Sequence, residues 1–484
     1  MPSTRNFLRY VKPGGSRVCG ALGSVLLLLA AAGLGVQPSS ARPASTAAPT
    51  APANAARPGE SAIPRPPELA RDVQFWIRVY SEIPTTAGFM HDERNLAVVY
   101  ETLRFPPDTP SKDRQAAVDA ARDRHIATLK RLAAAVAGDQ PAPGPMGEVA
   151  DPAAATLPPP PTAANTPTSE AARTAALAGL TPEERRVLQM WGPQVTAARL
   201  LEATRGVRFQ LGQADRFREG LIRSGTWETH IAQSFANLGL PPELAALPHV
   251  ESSFNPAAYS KVGAAGLWQF MRETGRRYMR VDDEVVDERL DPFRSTEAAA
   301  QLLAYNYRVL GTWPLALTAY NHGAAGMRRA AEQVGTTDFV TINRTYSSRT
   351  FGFASRNFYP SFLAALTIDQ NPEKYFGAIE RAPELKFHEI DMPAYARIEA
   401  IERALGAPRD SLRDLNPALR APVWSGSRLV PRGYRLRLAA AANGWTSEKL
   451  ASALGPGELY AGQIRARSHK VRRDESLAGI ARKY

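Results

Sequence analysis

Two stretches of this chain are too poor in apolar side chains to fold by themselves, and they fix where anything else can. Residues 42–67 and 138–167 hold 16 of the 40 prolines, mixed with alanine and threonine. Such segments bury too little apolar surface to offset the entropy of ordering, and proline keeps them extended. They divide the chain into a linker at 42–67, a piece at 68–137, a Pro/Ala-rich linker at 138–178 and a long remainder from residue 180. A domain runs to roughly 100–200 residues, so 484 residues should hold two to four of them. With 44% hydrophobic and 22% charged residues, a wholly disordered chain and a polytopic membrane protein are both excluded.

The start of the chain reads as an export signal. Arg5, Arg9, Lys12 and Arg17 precede an apolar run from Val18 to Val36, and small residues follow at Ser39-Ser40-Ala41. Cleavage is expected after Ala41, giving a signal peptide at 1–41 and a periplasmic or cell-envelope protein. Left uncleaved, the same run would hold the chain at a membrane, being at the short edge of what spans a bilayer. The single cysteine, Cys19, lies at the very start of the apolar run, where a lipid-anchored cysteine does not belong. Loss of residues 1–41 would change the formal charge from +12 to +8 and leave no cysteine, which rules out disulfides, thiolate zinc sites and thiol nucleophiles. No Lys/Arg run reaches five residues, so the charge predicts diffuse attraction to an acidic polymer and no nucleic-acid patch.

Between the linkers, the spacing of Phe75, Val79, Ile83, Leu96, Val99, Tyr100 and Leu103 predicts a helical packing element. His91 and Asp92 have no partner at metal-ligand spacing there. After residue 180, Thr181-Pro-Glu-Glu184 is a capping box with proline at the first helical position. Asp291-Pro292 starts another helix, with Ala299, Leu302, Leu303, Asn306 and Leu310 on one face. Long alternating runs are missing, so the block to about residue 370 is predominantly α.

The chemistry gathers between Leu247 and Asn321. Glu251 follows Leu247-Pro-His-Val at a helix end, between Val250 and Phe254, where desolvation would raise its pKa and make it a proton donor near neutrality. A glycine-rich stretch follows, Ser260-Lys-Val-Gly263-Ala-Ala-Gly266-Leu-Trp-Gln269-Phe-Met271, and then Ala319-Tyr320-Asn321-His322-Gly323. Each piece alone is weak, because a glutamate near a helix end is usually a cap or an ion-pair partner. Their order and spacing are specific.

Over about residues 180–370 these motifs resemble the family 1 lytic transglycosylases, marked by a Glu-Ser pair, a Gly-Leu-Met-Gln-like loop and an Ala-Tyr-Asn element. Gly266-Leu-Trp268-Gln269 and the Ser295-Thr-Glu-Ala-Ala-Ala run look most like the membrane-bound D branch. The resemblance implies a lysozyme-like, goose-type helical catalytic domain at 180–375 with its core at about 240–370. It implies cleavage of the β-1,4 bond between N-acetylmuramic acid and N-acetylglucosamine in peptidoglycan, with a 1,6-anhydro product and no cofactor. Glu251 would act as acid and then as base, with the substrate's own acetamido group in place of a second carboxylate. Ser252 would orient Glu251. Ser260 would bond the acetamido group or serve only its own turn. Gln269 and Tyr320 would contact sugar hydroxyls or Glu251, Asn321 would hold the Tyr320 loop, and Met271 would line the cleft or pack in the core. Asp282, Asp283, Glu284, Asp287, Glu288 and Asp291 read as helix capping. Relatives commonly place an Asn-Tyr-Val-Pro element after the Ala-Tyr-Asn loop. Here Asn357-Phe358-Tyr359-Pro360 has Phe in that slot, and whether Tyr359 substitutes stays open.

Residues 386–438, with Ala404-Leu-Gly406, Leu415-Asn416-Pro417 and Ser425 to Pro431, resemble a diverged LysM module, a small α+β (βααβ) fold that binds N-acetylglucosamine-containing glycans. A linker at 439–467 and the opening of a second such module at 468–484, too short to bury a core, complete the reading. The expectation is a mainly α, monomeric lytic transglycosylase with peptidoglycan glycan strands as its partner. A goose-type hydrolase and a non-catalytic wall-binding scaffold are the alternatives.

Overall fold

A computed structural model describes residues 62–137, 174, 176–282, 284–464, 471 and 475–483. The export signal, Cys19, Asp283 and most of both linkers lie outside the described residues. The chain is mainly helical with two small sheets, and it divides into two units.

The first unit gathers Phe89–Asp92 and Val98–Gln210. Helices α2 (Ser111–Ala137), α3 (Pro182–Trp191) and α4 (Ala197–Ala203) accompany a sheet of order β2-β1-β3, where β1 is Ala87–Asp92, β2 is Val99–Arg104 and β3 is Val207–Leu211. Met90, Tyr100, Leu129, Leu132, Val187 and Leu200 form its core. The capping box at Thr181 is present: the Glu184 N–H donates to Thr181 Oγ1 (3.2 Å) and the Thr181 N–H donates back to Glu184 Oε2 (2.8 Å). The piece at 68–137 is not uniformly helical, however. Val99, Tyr100 and Leu103 sit on a strand, because a short run of three apolar positions fits either period and sheet pairing decides it. His91 and Asp92 are buried in β1.

The second unit holds the described residues up to Gly88, Glu93–Ala97 and Leu211 onward. It begins with α1 (Ala70–Ser81). Helices α5 (Ala214–Ser224), α6 (Glu228–Ala236), α7 (Leu247–Glu251), α8 (Arg272–Gly275), α9 (Pro292–Leu310), α10 (Trp313–His322), α11 (Ala324–Val334), α12 (Phe339–Thr345), α13 (Phe353–Gln370) and α14 (Pro372–Phe376) follow. Leu247, Leu267, Trp268, Leu303, Leu317, Phe358 and Phe362 lie in one continuous core. The α9 start forms as its residues dictate: Asp291 Oδ1 accepts from the N–H groups of Phe293 (2.9 Å) and Arg294 (3.2 Å). Residues 62–67, read as linker, are docked: Ile63 is buried and Arg65 donates to Thr367 Oγ1 (2.7 Å) and Gln370 Oε1 (3.1 Å) of α13.

Beyond α14, β4 (Phe387–Asp391), α15 (Ile398–Leu405), α16 (Arg409–Leu415), α17 (Ala421–Trp424) and β5 (Arg435–Ala439) have a strand–helix–helix–strand order with one extra helical turn. The two strands pair antiparallel, Phe387 opposite Ala439 and Asp391 opposite Arg435. The stretch 439–467, read as linker, contributes α18 (Ser447–Leu454), whose Leu450 and Leu454 join the core of this element. In the terminal segment α19 spans Leu477–Lys483, and Leu477 is 81% exposed. Among the described residues no helix is long and apolar enough to cross a membrane.

Candidate active site

α7 is a single turn, and Glu251 is its last residue. The chain then reverses through two non-glycine residues in the left-handed region, Ser253 (φ 55°) and Phe254 (φ 54°). Such conformations cost about 1–3 kcal/mol each and persist only where neighbours enforce them. Arg223 of α5 does so, donating from Nε to the Phe254 carbonyl (3.1 Å) and from Nη2 to the Ser253 carbonyl (2.7 Å). Gly220 completes the fit, since a Cβ there would lie 2.9 Å from the Ser253 carbonyl oxygen.

Ser252 joins this helix end to the glycine loop. Its Oγ donates to the Leu267 carbonyl (2.7 Å) and accepts the Asn255 N–H (3.1 Å). The hydroxyl therefore ties the turn that follows Glu251 to the glycine loop and acts on the carboxyl through that backbone. Ser252→Ala should lower stability by about 1–3 kcal/mol, the usual range for stranding a buried partner. Activity should fall further than stability explains; a fully active Ser252→Ala would refute the tie. Ser260 is buried with its Oγ accepting the Ala264 N–H (2.9 Å), so the hydroxyl is engaged in its own turn.

The loop is held from beneath by a residue that sequence reasoning missed. Arg289 is fully buried, pairs with Asp287 (Nε–Oδ1 2.9 Å, Nη2–Oδ2 2.8 Å) and donates from Nη1 to the carbonyls of Gly263 (2.7 Å) and Phe270 (3.0 Å). Gly266 (φ 79°) passes so close that a Cβ would sit 1.7 Å from the Arg289 carbonyl oxygen. Gln269, at φ 48°, turns its amide nitrogen onto the carbonyls of Gly266 (2.8 Å) and Ala258 (3.2 Å), leaving its buried Oε1 without a partner. Met271 is half-buried at the start of α8. Trp268 is core: fully buried, with Nε1 donating to Thr296 Oγ1 (2.8 Å).

From α10, the Tyr320 hydroxyl donates to the Trp268 carbonyl (2.8 Å), while Asn321 Oδ1 accepts from Ser355 Oγ (3.2 Å) on α13. The Tyr320 ring stacks on Phe358 at 6.5 Å. Tyr359 is turned the other way. Its ring packs between Phe339 and Phe362, its hydroxyl donates to the Pro64 carbonyl, and the structure does not bring it to Glu251. One residue of helix rotates a side chain by about 100°, which separates the two neighbours. His249 is buried, stacked on Phe217 at 4.5 Å and bonded to Asp369 (3.3 Å), a packing role.

Glu251 keeps partial access to solvent, yet protein surrounds it densely enough that burial alone pushes its carboxyl up to about 8. The phenols of Tyr320 and of Tyr80, from α1, are both raised, first by burial and then by the charge of Glu251. Tyr80 carried no motif and was missed. The described members of the acidic cluster are all committed elsewhere. Asp282 accepts from the N–H groups of Glu284 (3.0 Å) and Val286 (3.0 Å), and Glu284 pairs with Arg428. Asp287 holds Arg289, Glu288 accepts the Arg280 N–H (2.6 Å), and Asp291 caps α9 and pairs with Arg437 (2.6 Å). Among the described residues no group of three or more His, Cys, Asp or Glu side chains could hold a metal ion.

Residues 231–343 match the family described as the Transglycosylase SLT domain. The membrane-bound lytic murein transglycosylase D of Escherichia coli K12 is 25% identical over 279 residues, 54% of this chain and 58% of that protein, and its counterpart in Escherichia coli O6:H1 matches equally. The chain thus spans less than two thirds of the length of these relatives. Among solved structures, an inactive mutant of lytic transglycosylase Slt from Pseudomonas aeruginosa is similar over 44% of this chain and 33% of that one, at 19% identity and a TM-score of 0.26. That score is too low to bear on the fold. The domain match encloses Glu251, the glycine loop and the Tyr320–Asn321 pair, so the residues that form the site lie within the part of the chain that matches the Transglycosylase SLT domain.

Proposed function

We propose that the chain cleaves the β-1,4 bond between N-acetylmuramic acid and N-acetylglucosamine in peptidoglycan and leaves 1,6-anhydro ends, with Glu251 as its single acid and base. The observation that carries this reading is a solvent-reachable carboxyl whose pKa burial lifts to about 8, with every described carboxylate of the acidic cluster at 282–291 committed to backbone N–H groups or an arginine. Protonated Glu251 gives its proton to the leaving oxygen as the glycosidic C–O bond breaks. The 2-acetamido oxygen covers the anomeric carbon. Glu251, now a carboxylate, takes the proton of the sugar's own 6-hydroxyl, whose oxygen closes the ring. No water enters the balance. Gln269, whose buried Oε1 is unpartnered, is the natural acceptor for a sugar N–H or O–H, with Ser260, Met271, Tyr320 and Asn321 shaping the loop around it. Tyr359 is not part of this reading. The strand–helix–helix–strand element at 387–439 is assigned, on its resemblance to LysM modules, to holding glycan strands. Export through residues 1–41 would place the chain in the cell envelope.

Because the donor must enter protonated, kcat/KM should be level at lower pH and fall as pH rises through about 8. A limb near the ordinary glutamate value of about 4.3 would overturn the role. The reaction itself is read by mass spectrometry of fragments released from purified peptidoglycan by the chain without residues 1–41. Anhydro ends support the proposal, reducing ends would make it a goose-type hydrolase, and binding without release a scaffold.

A further inference from the structure

The turn that carries Glu251 is held by parts of the chain that lie outside residues 231–343. Helix α5 brings three residues to it along one ridge at three-residue spacing. Phe217 stacks at 4.5 Å on His249, two residues before the acid. Gly220 leaves room for the Ser253 carbonyl, and Arg223 bonds that carbonyl (2.7 Å) and the next one, of Phe254 (3.1 Å). Glu219 stands 3.6 Å from Arg223 Nη1, beyond hydrogen-bond reach, so the guanidinium's bonds go to the turn. The end of α5 is fixed in its own right by the segment that leads to β4. The Ala382 N–H donates to the Ile222 carbonyl (2.7 Å), and Arg381 donates from Nη1 to Ser224 Oγ (2.6 Å). Arg381 also donates from Nη2 to Asp369 (2.9 Å), which bonds His249 (3.3 Å). The helix that grips the chain after Glu251 is thus tied to the residue two positions before it. α7, a single turn, cannot hold its last residue through its own hydrogen-bond ladder.

We infer that Arg223 is a positioning residue for Glu251: by bonding two successive carbonyls it holds Ser253 and Phe254 in the left-handed region and so keeps the acid at its station on the end of α7. Helix α5 thereby belongs to the active site although it lies outside the matched domain. A guanidinium suits the task because its Nε and Nη2 donors form a rigid fork, whereas an ammonium is a point donor that serves one carbonyl and not both. Released from the fork, two non-glycine residues return to the right-handed or extended backbone they prefer, and the acid three positions earlier turns toward solvent. Lysine at this position keeps the positive charge, and it leaves untouched Tyr80 on α1, Tyr320 on α10, and His249 with Asp369 and Arg381. A change at Glu251 in that variant therefore reports geometry. The inference rests on the acid–base reading of Glu251, but one of its two readouts does not require turnover.

The test is Arg223→Lys in the full-length protein, read by kinetics on purified peptidoglycan and by a carbon-13 NMR titration of the Glu251 carboxyl, with the signal assigned by its loss in Glu251→Gln. kcat should fall about 10- to 100-fold with KM little changed, since a misplacement of about 1 Å at a reacting group costs that much. The titration should drop from about 8 toward the ordinary glutamate value of about 4.3, by about one unit or more, as the carboxyl gains water. Citrulline at position 223 keeps the Nε–H and one terminal NH2 donor without the charge, and should restore most of what lysine loses in both readouts. A titration that stays in place in a folded Arg223→Lys protein, or a kcat that does, overturns the inference. So does a citrulline protein as slow as Arg223→Lys, which would assign the effect to the charge. Should Arg223→Lys fail to fold, Gly220→Ala displaces the same turn with Arg223 intact, its Cβ falling 2.9 Å from the Ser253 carbonyl oxygen. The same two changes are expected there, and their absence again overturns the inference. Wild-type protein that yields no anhydro ends, with the titration still dropping in Arg223→Lys, would instead count against the reaction and not against the clamp.

Discussion

Glu251→Gln should abolish turnover while leaving glycan binding intact. General acid–base help is worth roughly 10²–10⁴-fold per role, and one residue here carries both roles, so a loss of at least about 10³-fold is expected. The amide keeps the shape of the carboxyl but can neither give nor take the proton. The same substitution should make the protein more stable above neutrality. Glu251 has a folded-state pKa near 8 against about 4.3 in an unfolded chain, so the folded state binds its proton more tightly. That contribution is complete below about pH 4 and is lost as pH rises through about 8. Glutamine is neutral throughout and loses nothing. The stability difference in favour of Glu251→Gln should therefore grow from about pH 5 to about pH 8, with about 1.4 kcal/mol per unit as its ceiling. Partial solvent access to Glu251 will keep the growth below that ceiling. Substantial residual lysis, or a stability gap that is flat with pH, would contradict the assignment of a buried, protonated donor.

Glu251 could be found in the sequence because its chemistry comes with local geometry. A proline-bearing turn ends at an acid, small residues follow where the backbone must fold sharply, and Gly266 admits the Arg289 carbonyl to within what a Cβ would forbid. The α9 start was equally legible, since a cap and a proline act within three residues of each other. What escaped were interactions between distant segments. Tyr80 packs on Phe217 at 5.2 Å across more than a hundred positions of sequence, and has only its place beside Trp76 on an apolar face to recommend it. Arg289 was hidden inside a run of acids that read as caps, because nothing local announces that a buried guanidinium will hold carbonyls at Gly263 and Phe270. Tyr359 stayed open for the opposite reason: adjacency in sequence offered a substitute for the Phe358 slot, while helix rotation sends its hydroxyl to Pro64. The strands at 87–92 and 99–104 were lost because short apolar runs carry too few positions to distinguish a period of two from one of 3.6.

Arg437→Ala should cost about 3–5 kcal/mol, because it strands a buried charge at the joint between the helical catalytic region and the strand–helix–helix–strand element. Asp291 caps α9 and presents its second oxygen to Arg437 Nη1 at 2.6 Å; their side chains are 4% and 2% exposed. Arg437 Nε also reaches Glu389 (3.1 Å), which Arg294 bonds through both of its oxygens, and the guanidinium lies 4.5 Å from the Phe293 ring and 4.9 Å from that of Phe387. Backbone bonds run alongside: the Asp287 N–H donates to the Ala418 carbonyl (2.8 Å) and the Arg420 N–H to that of Val285 (3.0 Å). A module hung on a flexible tether would need none of this. The element should therefore melt with the catalytic core in one calorimetric transition, and Arg437→Ala should lower its midpoint by about 10 °C. Arg437→Met alone should be nearly as harmful, since it also leaves Asp291 unpaired. Pairing it with Asp291→Asn should recover part of the loss, because buried ion pairs are often replaceable by uncharged groups of similar volume. A wild-type protein with two separate transitions, or an Arg437→Ala protein within about 1 kcal/mol of wild type, would mean that the cluster does not hold the two parts together.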